Sequence, residues 1–206
     1  MKHIFYCLSV LGMLGVSGST IAQIPVTHIK PTPTPHMDTL QQPIATTATA
    51  YETSKDEKTG HLVYKGIFTF HNMASEPTFA WLDSGINSYK PDTLTLPYLR
   101  STIRNYNILL FIGTWCEDSQ NLLPKFYKLL SSLDINYENI VLIGMDRAKT
   151  TTTTAGAELV NKYKVSLLPT ILFTDSNGQE VGRITETVSK SIEWDLVDLF
   201  SKASKK

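Results

Sequence analysis

The run Ile108-Leu109-Leu110-Phe111-Ile112, followed at once by Trp115-Cys116-Glu117-Asp118-Ser119 and then by a helical apolar pattern, most constrains the fold of this chain. The first segment reads as a buried strand. In the last, Leu122, Leu123, Phe126, Leu129, Leu130 and Leu133 share one helical face. Cys116 therefore lies where a strand hands over to a helix, with its sulfur at the helix N-terminus.

Unpaired backbone N–H groups and the helix dipole favour an anion at that position, and so favour thiolate over thiol. Glu117 and Asp118 act the other way on the sulfur. They support the helix start, yet repel a second negative charge. The competing role for a single cysteine is that of a small, inert, buried hydrophobe.

Met1-Lys2-His3 leads into an apolar stretch from Ile4 to about Val16, then small polar residues and Thr20-Ile21-Ala22. This pattern is that of a secretory signal peptide, residues 1–22, and the polar residues cut it short of a membrane span. Cys7 falls inside it, and its preceding residues do not suit a lipid-modified cysteine. Cleavage after Ala22 leaves Cys116 as the sole cysteine, which excludes an internal disulfide and leaves a free thiol, an intermolecular bond or a mixed disulfide. The full chain is balanced at 19 basic and 19 acidic residues, and losing the leader removes only Lys2. No nucleic-acid or anionic-membrane partner is suggested by that balance.

Residues 23–60 are rich in Thr and Pro, including Pro31-Thr32-Pro33-Thr34-Pro35, and read as a flexible spacer. His28 and His36 lie in it without clustered partners, and no metal site is expected. The domain is expected over 61–206. One or two strands are expected across His61–Lys65 and Ile67–Phe70, a loop from Met73 to Ser88 with Trp81 packing, and a short helix through Leu96, Leu99 and Ile103 capped by Asp92 or Thr95. Ile140 to Met145 reads as a second buried strand of parallel type, closed by Asp146. After the irregular Lys149–Thr154 segment come a helix from Ala155 to Tyr163 and a strand at Ile171–Thr174. An Asn177-Gly178 turn joins it to a strand over Glu180–Ile184. A terminal helix starts at Ser189 and buries Ile192, Leu196, Leu199 and Phe200.

In this order, residues 90 to 202 resemble the thioredoxin superfamily. Trp115-Cys116 is similar to the start of its Trp-Cys-x-x-Cys motif, and Pro124 to its helix-kinking proline. Tyr163 to Thr170 resembles the segment that ends at its cis-proline. The strands after Gly60 are similar to those of exported bacterial thioredoxin-like proteins. The resemblance implies an α/β three-layer sandwich: a central mixed β-sheet flanked by helices, with an N-terminal strand extension. It implies a cis Pro169 packed against the sulfur, with Leu168, Pro169 and Thr170 meeting an extended substrate. It also implies a Trp115–Asp146 pair, with a solvent-facing Asp146 as the alternative, and supporting roles for Asp118 and Asp146. Two departures stand out. Ser119 occupies the resolving-cysteine position, giving a Cys-x-x-Ser (monothiol) motif, and Leu110 replaces the carboxylate that many members bury six residues before the first cysteine.

The catalytic candidates are thus Cys116, Ser119 and Trp115, with no cofactor and no metal. Either the protein is a monothiol thiol–disulfide oxidoreductase or isomerase, Cys116 capturing a substrate disulfide that an external thiol resolves, or it is a non-catalytic peptide-binding module on the same fold. The expected partner is a disulfide- or thiol-bearing protein or a small thiol. The expected location is periplasmic or extracellular. Peroxide reduction is disfavoured because the chain lacks the Thr-x-x-Cys pattern of a peroxiredoxin site.

Overall fold

Alternation along the central apolar strands sends neighbouring side chains to opposite faces of one sheet. In the computed structural model, which describes residues 50–137 and 140–204, Leu110 and Ile112 enter one apolar cluster while Leu109 and Phe111 enter another. The leader (1–22), Cys7, His28, His36 and the spacer up to residue 49 lie outside the described residues. All that is described belongs to one unit, Met37–Lys206.

The sheet has six strands: β1 (Ala50–Lys55), β2 (Leu62–Thr69), β3 (Asn107–Ile112), β4 (Val141–Gly144), β5 (Thr170–Thr174) and β6 (Glu180–Thr185), in the order β1-β2-β4-β3-β5-β6. Only β3 and β4 run parallel; the other neighbouring pairs are antiparallel. The helices are α1 (Phe70–Ala74), α2 (Ala80–Ser88), α3 (Leu96–Thr102), α4 (Glu117–Ser132), α5 (Thr154–Lys162) and α6 (Ile192–Ala203). The larger cluster joins one sheet face to α4 and α6 through Phe126, Tyr127, Leu130, Leu196 and Phe200. The smaller holds Phe111, Ile143, Leu172, Trp115 and Leu168, with Leu159 and Val160 of α5 packed on it. This is the α/β sandwich with a mixed sheet that the thioredoxin resemblance implied.

Three expectations are corrected. β1 begins at Ala50, inside the stretch read as spacer, because its residues pair in register with β2 from Ala50↔Ile67 to Lys55↔Leu62. Of the one or two strands expected across His61–Phe70 the chain forms one, Leu62–Thr69, with the positive φ of Gly66 placing it against the Ala50 carbonyl. Met73–Ser88 is largely helical: α1 ends at Ala74, and α2 packs Gly85 directly on Pro124 of α4. The terminal helix is capped by Ser191, whose side chain accepts from Trp194 N, and not by Ser189. At α3, Thr95 takes the N-cap position without a capping bond, and its hydroxyl donates to the Asp92 carbonyl at 2.8 Å.

Candidate functional site

The strand-to-helix corner after β3 is fixed before Cys116 is reached. Thr114, almost fully buried, accepts a hydrogen bond from Tyr64 N at 3.0 Å and donates to the Leu62 carbonyl at 2.8 Å. Gln120 Nε2 donates to the Thr114 carbonyl at 2.8 Å, tying the corner to the first turn of α4. Cys116 then occupies the N-cap of α4 with extended backbone angles (φ −89°, ψ 122°), and its N–H donates to the Gly113 carbonyl. Glu117 and Asp118 are exposed in the first turn, where carboxylates suit the helix dipole.

The half-buried sulfur faces the loop before β5. Cys116 Sγ lies 3.7 Å from the Leu168 carbonyl oxygen, and the Leu168–Pro169 peptide bond is cis. Leu168 and Pro169 are buried, whereas Leu167 is exposed. Thr170, read as a substrate contact, is buried: its hydroxyl donates to the Leu167 carbonyl at 2.8 Å, and its backbone lies between Phe111 and Thr185. It braces the loop from inside. Ser119 is wholly buried, and its Oγ accepts from Gly113 N at 3.2 Å. Among the described residues it makes no hydrogen bond to the sulfur; it holds the corner beneath it.

Trp115 lies over the corner and is buried among the smaller cluster. The expected partnership with Asp146 is not formed: the indole N–H donates to the Met145 carbonyl at 2.9 Å. Asp146 instead accepts from Lys65 Nζ at 2.7 Å, from Thr150 N at 2.9 Å and from the Thr150 hydroxyl at 2.7 Å. Burial works against its charge, yet the Lys65 and Thr150 hydrogen bonds outweigh this and hold its carboxyl below the usual range.

Two cations that the sequence reading did not single out complete the site. The Arg147 guanidinium lies 4.2 Å from the Trp115 ring centroid and Lys149 Nζ 5.2 Å from it, both within cation–π range. Arg147 is held from the β1–β2 turn by Asp56, with Nε–Oδ1 at 2.5 Å and Nη2–Oδ2 at 2.8 Å. Asp56 is itself fixed by the N–H and hydroxyl of Thr59. The Arg147 bond, aided by Thr59 and opposed by burial, holds the Asp56 carboxyl well below the ordinary carboxylate range. Arg147 is raised in turn, mainly by its hydrogen bond to Asp56, against the opposing effect of burial. The available signal was the turn Asp56-Glu57-Lys58-Thr59-Gly60 between two strand-forming stretches. Thr-rich composition upstream obscured it.

Among the described residues no group of three or more His, Cys, Asp or Glu side chains is arranged to hold a metal ion, and no helix is long and apolar enough to cross a membrane. A groove of about 500 Å³ between β6 and α6, lined by Val181, Arg183, Asp195 and Leu199 among others, includes none of the residues around Cys116.

A strand-to-helix thiol facing a cis-proline loop across a mixed sheet defines the thioredoxin-fold class, whose characteristic function is thiol–disulfide redox chemistry. Residues 99–197, just under half of the chain, match the Thioredoxin family model, which supports a thioredoxin-type domain over that stretch. No curated protein matches the sequence. Among solved structures, a Pseudomonas aeruginosa protein of unknown function is similar at 17% identity, covering 66% of this chain and 81% of that one, with a TM-score of 0.43. Fasciola hepatica thioredoxin is similar at 19% identity, 52% and 88% coverage and a TM-score of 0.33. Chlamydomonas reinhardtii thioredoxin f2 is similar at 18% identity, 54% and 90% coverage and a TM-score of 0.33.

Proposed function

We propose that this protein is an exported monothiol oxidoreductase or isomerase that captures disulfides through Cys116. The observation that carries the reading is the sulfur at the N-cap of α4, 3.7 Å from the Leu168 carbonyl, with Ser119 buried where a resolving thiol would stand. The Cys116 thiolate attacks one sulfur of a substrate disulfide; a bond forms to Sγ, the substrate S–S bond breaks, and the other sulfur leaves as a thiolate that takes a proton. An external thiol, or the substrate's second cysteine, then attacks the mixed disulfide and restores Cys116. One disulfide is exchanged for another at each step, so no cofactor is required. The apolar leader read over Met1–Ala22 supports a periplasmic or extracellular site of action.

Acid-quenched purification from the exported compartment, followed by mass analysis of the Cys116 peptide, tests the reading. A protein or small-thiol adduct on Cys116 is the expected result. The exposed Leu167 beside the loop favours a second reading, a peptide-binding module without turnover. Cys116→Ala separates the two: unchanged partner binding together with an unchanged phenotype sinks the catalytic reading.

A further inference from the structure

We propose that Arg147 and Lys149 make the thiol selective for small disulfides and thiols that carry a carboxylate within a few bonds of sulfur. This inference rests on the disulfide-capture reading and names the substrate class of the same site.

Both cations lie within 6 Å of one indole, that of Trp115, the residue preceding the reactive cysteine. Neither position is incidental. Asp56 grips Arg147 along one edge of the guanidinium through Nε and Nη2, leaving its other N–H groups for a ligand, and the side chain remains about 36% exposed. Lys149 stands in the left-handed backbone region (φ 61°), in a turn closed by Lys149 N to the Asp146 carbonyl and by Asp146 N to the Thr150 carbonyl. The Asp146 carboxylate, clamped between Lys65 and Thr150, fixes that turn. The turn thus fixes the Lys149 backbone beside Trp115, and the ammonium lies 5.2 Å from the indole centroid.

The charges balance in favour of an anion on this side of the sulfur. Asp56 is matched by Arg147 and Asp146 by Lys65, whereas Lys149 has no salt-bridge partner among the described residues. Glu117 and Asp118, exposed in the first turn of α4, are the opposing carboxylates of the site. They penalise an anion approaching over the helix start. A carboxylate near the captured sulfur is thus steered to the Trp115 side, where Lys149 and the free edge of Arg147 receive it. A short linkage is favoured because the indole that both cations flank belongs to the residue directly before Cys116.

The test uses the full chain and three symmetrical dialkyl disulfides: 3,3′-dithiodipropionate (anionic), 2-hydroxyethyl disulfide (neutral) and cystamine (cationic). Second-order rate constants for blocking Cys116 are read at low ionic strength by loss of maleimide labelling, each normalised to a short unstructured cysteine peptide. The expected normalised ratio of anionic to neutral reagent is about fivefold, the effect of one solvent-screened charge contact. It falls toward one with Lys149→Gln or in 0.5 M salt (roughly a 4 Å screening length), reverses with Lys149→Glu, and persists in the charge-matched control Lys202→Gln on α6. A ratio at or below one in the unmodified protein, or one that Lys149→Gln leaves in place, overturns the selectivity while leaving capture intact. If none of the three reagents blocks Cys116 faster than the peptide, both readings fall.

Discussion

Replacing Ser119 with cysteine asks whether the corner can hold dithiol geometry. Ser119 is wholly buried at the first turn of α4, and its oxygen accepts the Gly113 N–H. Sulfur accepts weakly and is larger, so the reduced variant loses one buried hydrogen bond, about 1 kcal/mol of stability. Oxidation closes a loop of four residues from Cys116 to the new thiol. On the chain-entropy account, that closure restricts the unfolded state by about 2 kcal/mol. The oxidised variant is therefore expected to be about 1 kcal/mol more stable than the unmodified protein, and the reduced variant about 1 kcal/mol less. Urea unfolding midpoints of the two redox forms, with thiol counts by maleimide mass shift, measure both quantities. Insulin reduction should become detectable yet slow, because buried Leu110 leaves the new thiol without a proton-relaying carboxylate. Two free thiols persisting after treatment with oxidised glutathione would refute the reasoning, since the Cys-x-x-Ser corner would then not be a dithiol site lacking one atom.

Three further outcomes follow from packing and charge. In Gly85→Ala the added methyl meets Pro124 Cβ at 2.6 Å and Cγ at 2.9 Å, forcing α2 from α4 at a cost of about 1–3 kcal/mol, visible in thermal unfolding. Burial first, with Tyr51 and Glu76 nearby, pushes the Tyr64 phenol from 10.0 to about 12. A raised folded value stabilises fully below the unfolded value, and that stability is lost as pH rises from about 10 to about 12; tyrosinate absorbance at 295 nm should rise late and together with unfolding. Asp56 has a depressed folded value, so its contribution is present above the ordinary 3.8 and lost as pH falls below it. Asp56→Asn should flatten the acid limb of the stability profile, and an unchanged limb would show that the Arg147 pair does not stabilise the fold.

The β3, α4, β4 and β5–β6 segments were legible because each carries a strong local signal: an apolar run, a helical stripe or an Asn-Gly turn. β1 and the helices before Tyr89 were not. Their residues are polar or mixed, and they hold their form through contacts far along the chain, Tyr51 stacking on Tyr64 and Gly85 on Pro124. Local propensity carries little of that information.

By itself, the sequence determined the alternation that gives the sheet two apolar faces, the placement of one thiol at a helix start, and the serine three residues after it. Covalent order and hydrophobic period suffice for those. Tertiary structure alone decided what surrounds the sulfur. The indole N–H goes to a main-chain carbonyl at Met145 that no side-chain pattern encodes, and Asp56, 91 residues from Arg147, crosses the fold to hold that guanidinium at Trp115. Such pairings depend on which strands become neighbours, and it is the seating of β2 beside β4, with β1 at the sheet edge, that brings their turn to Arg147 and Trp115.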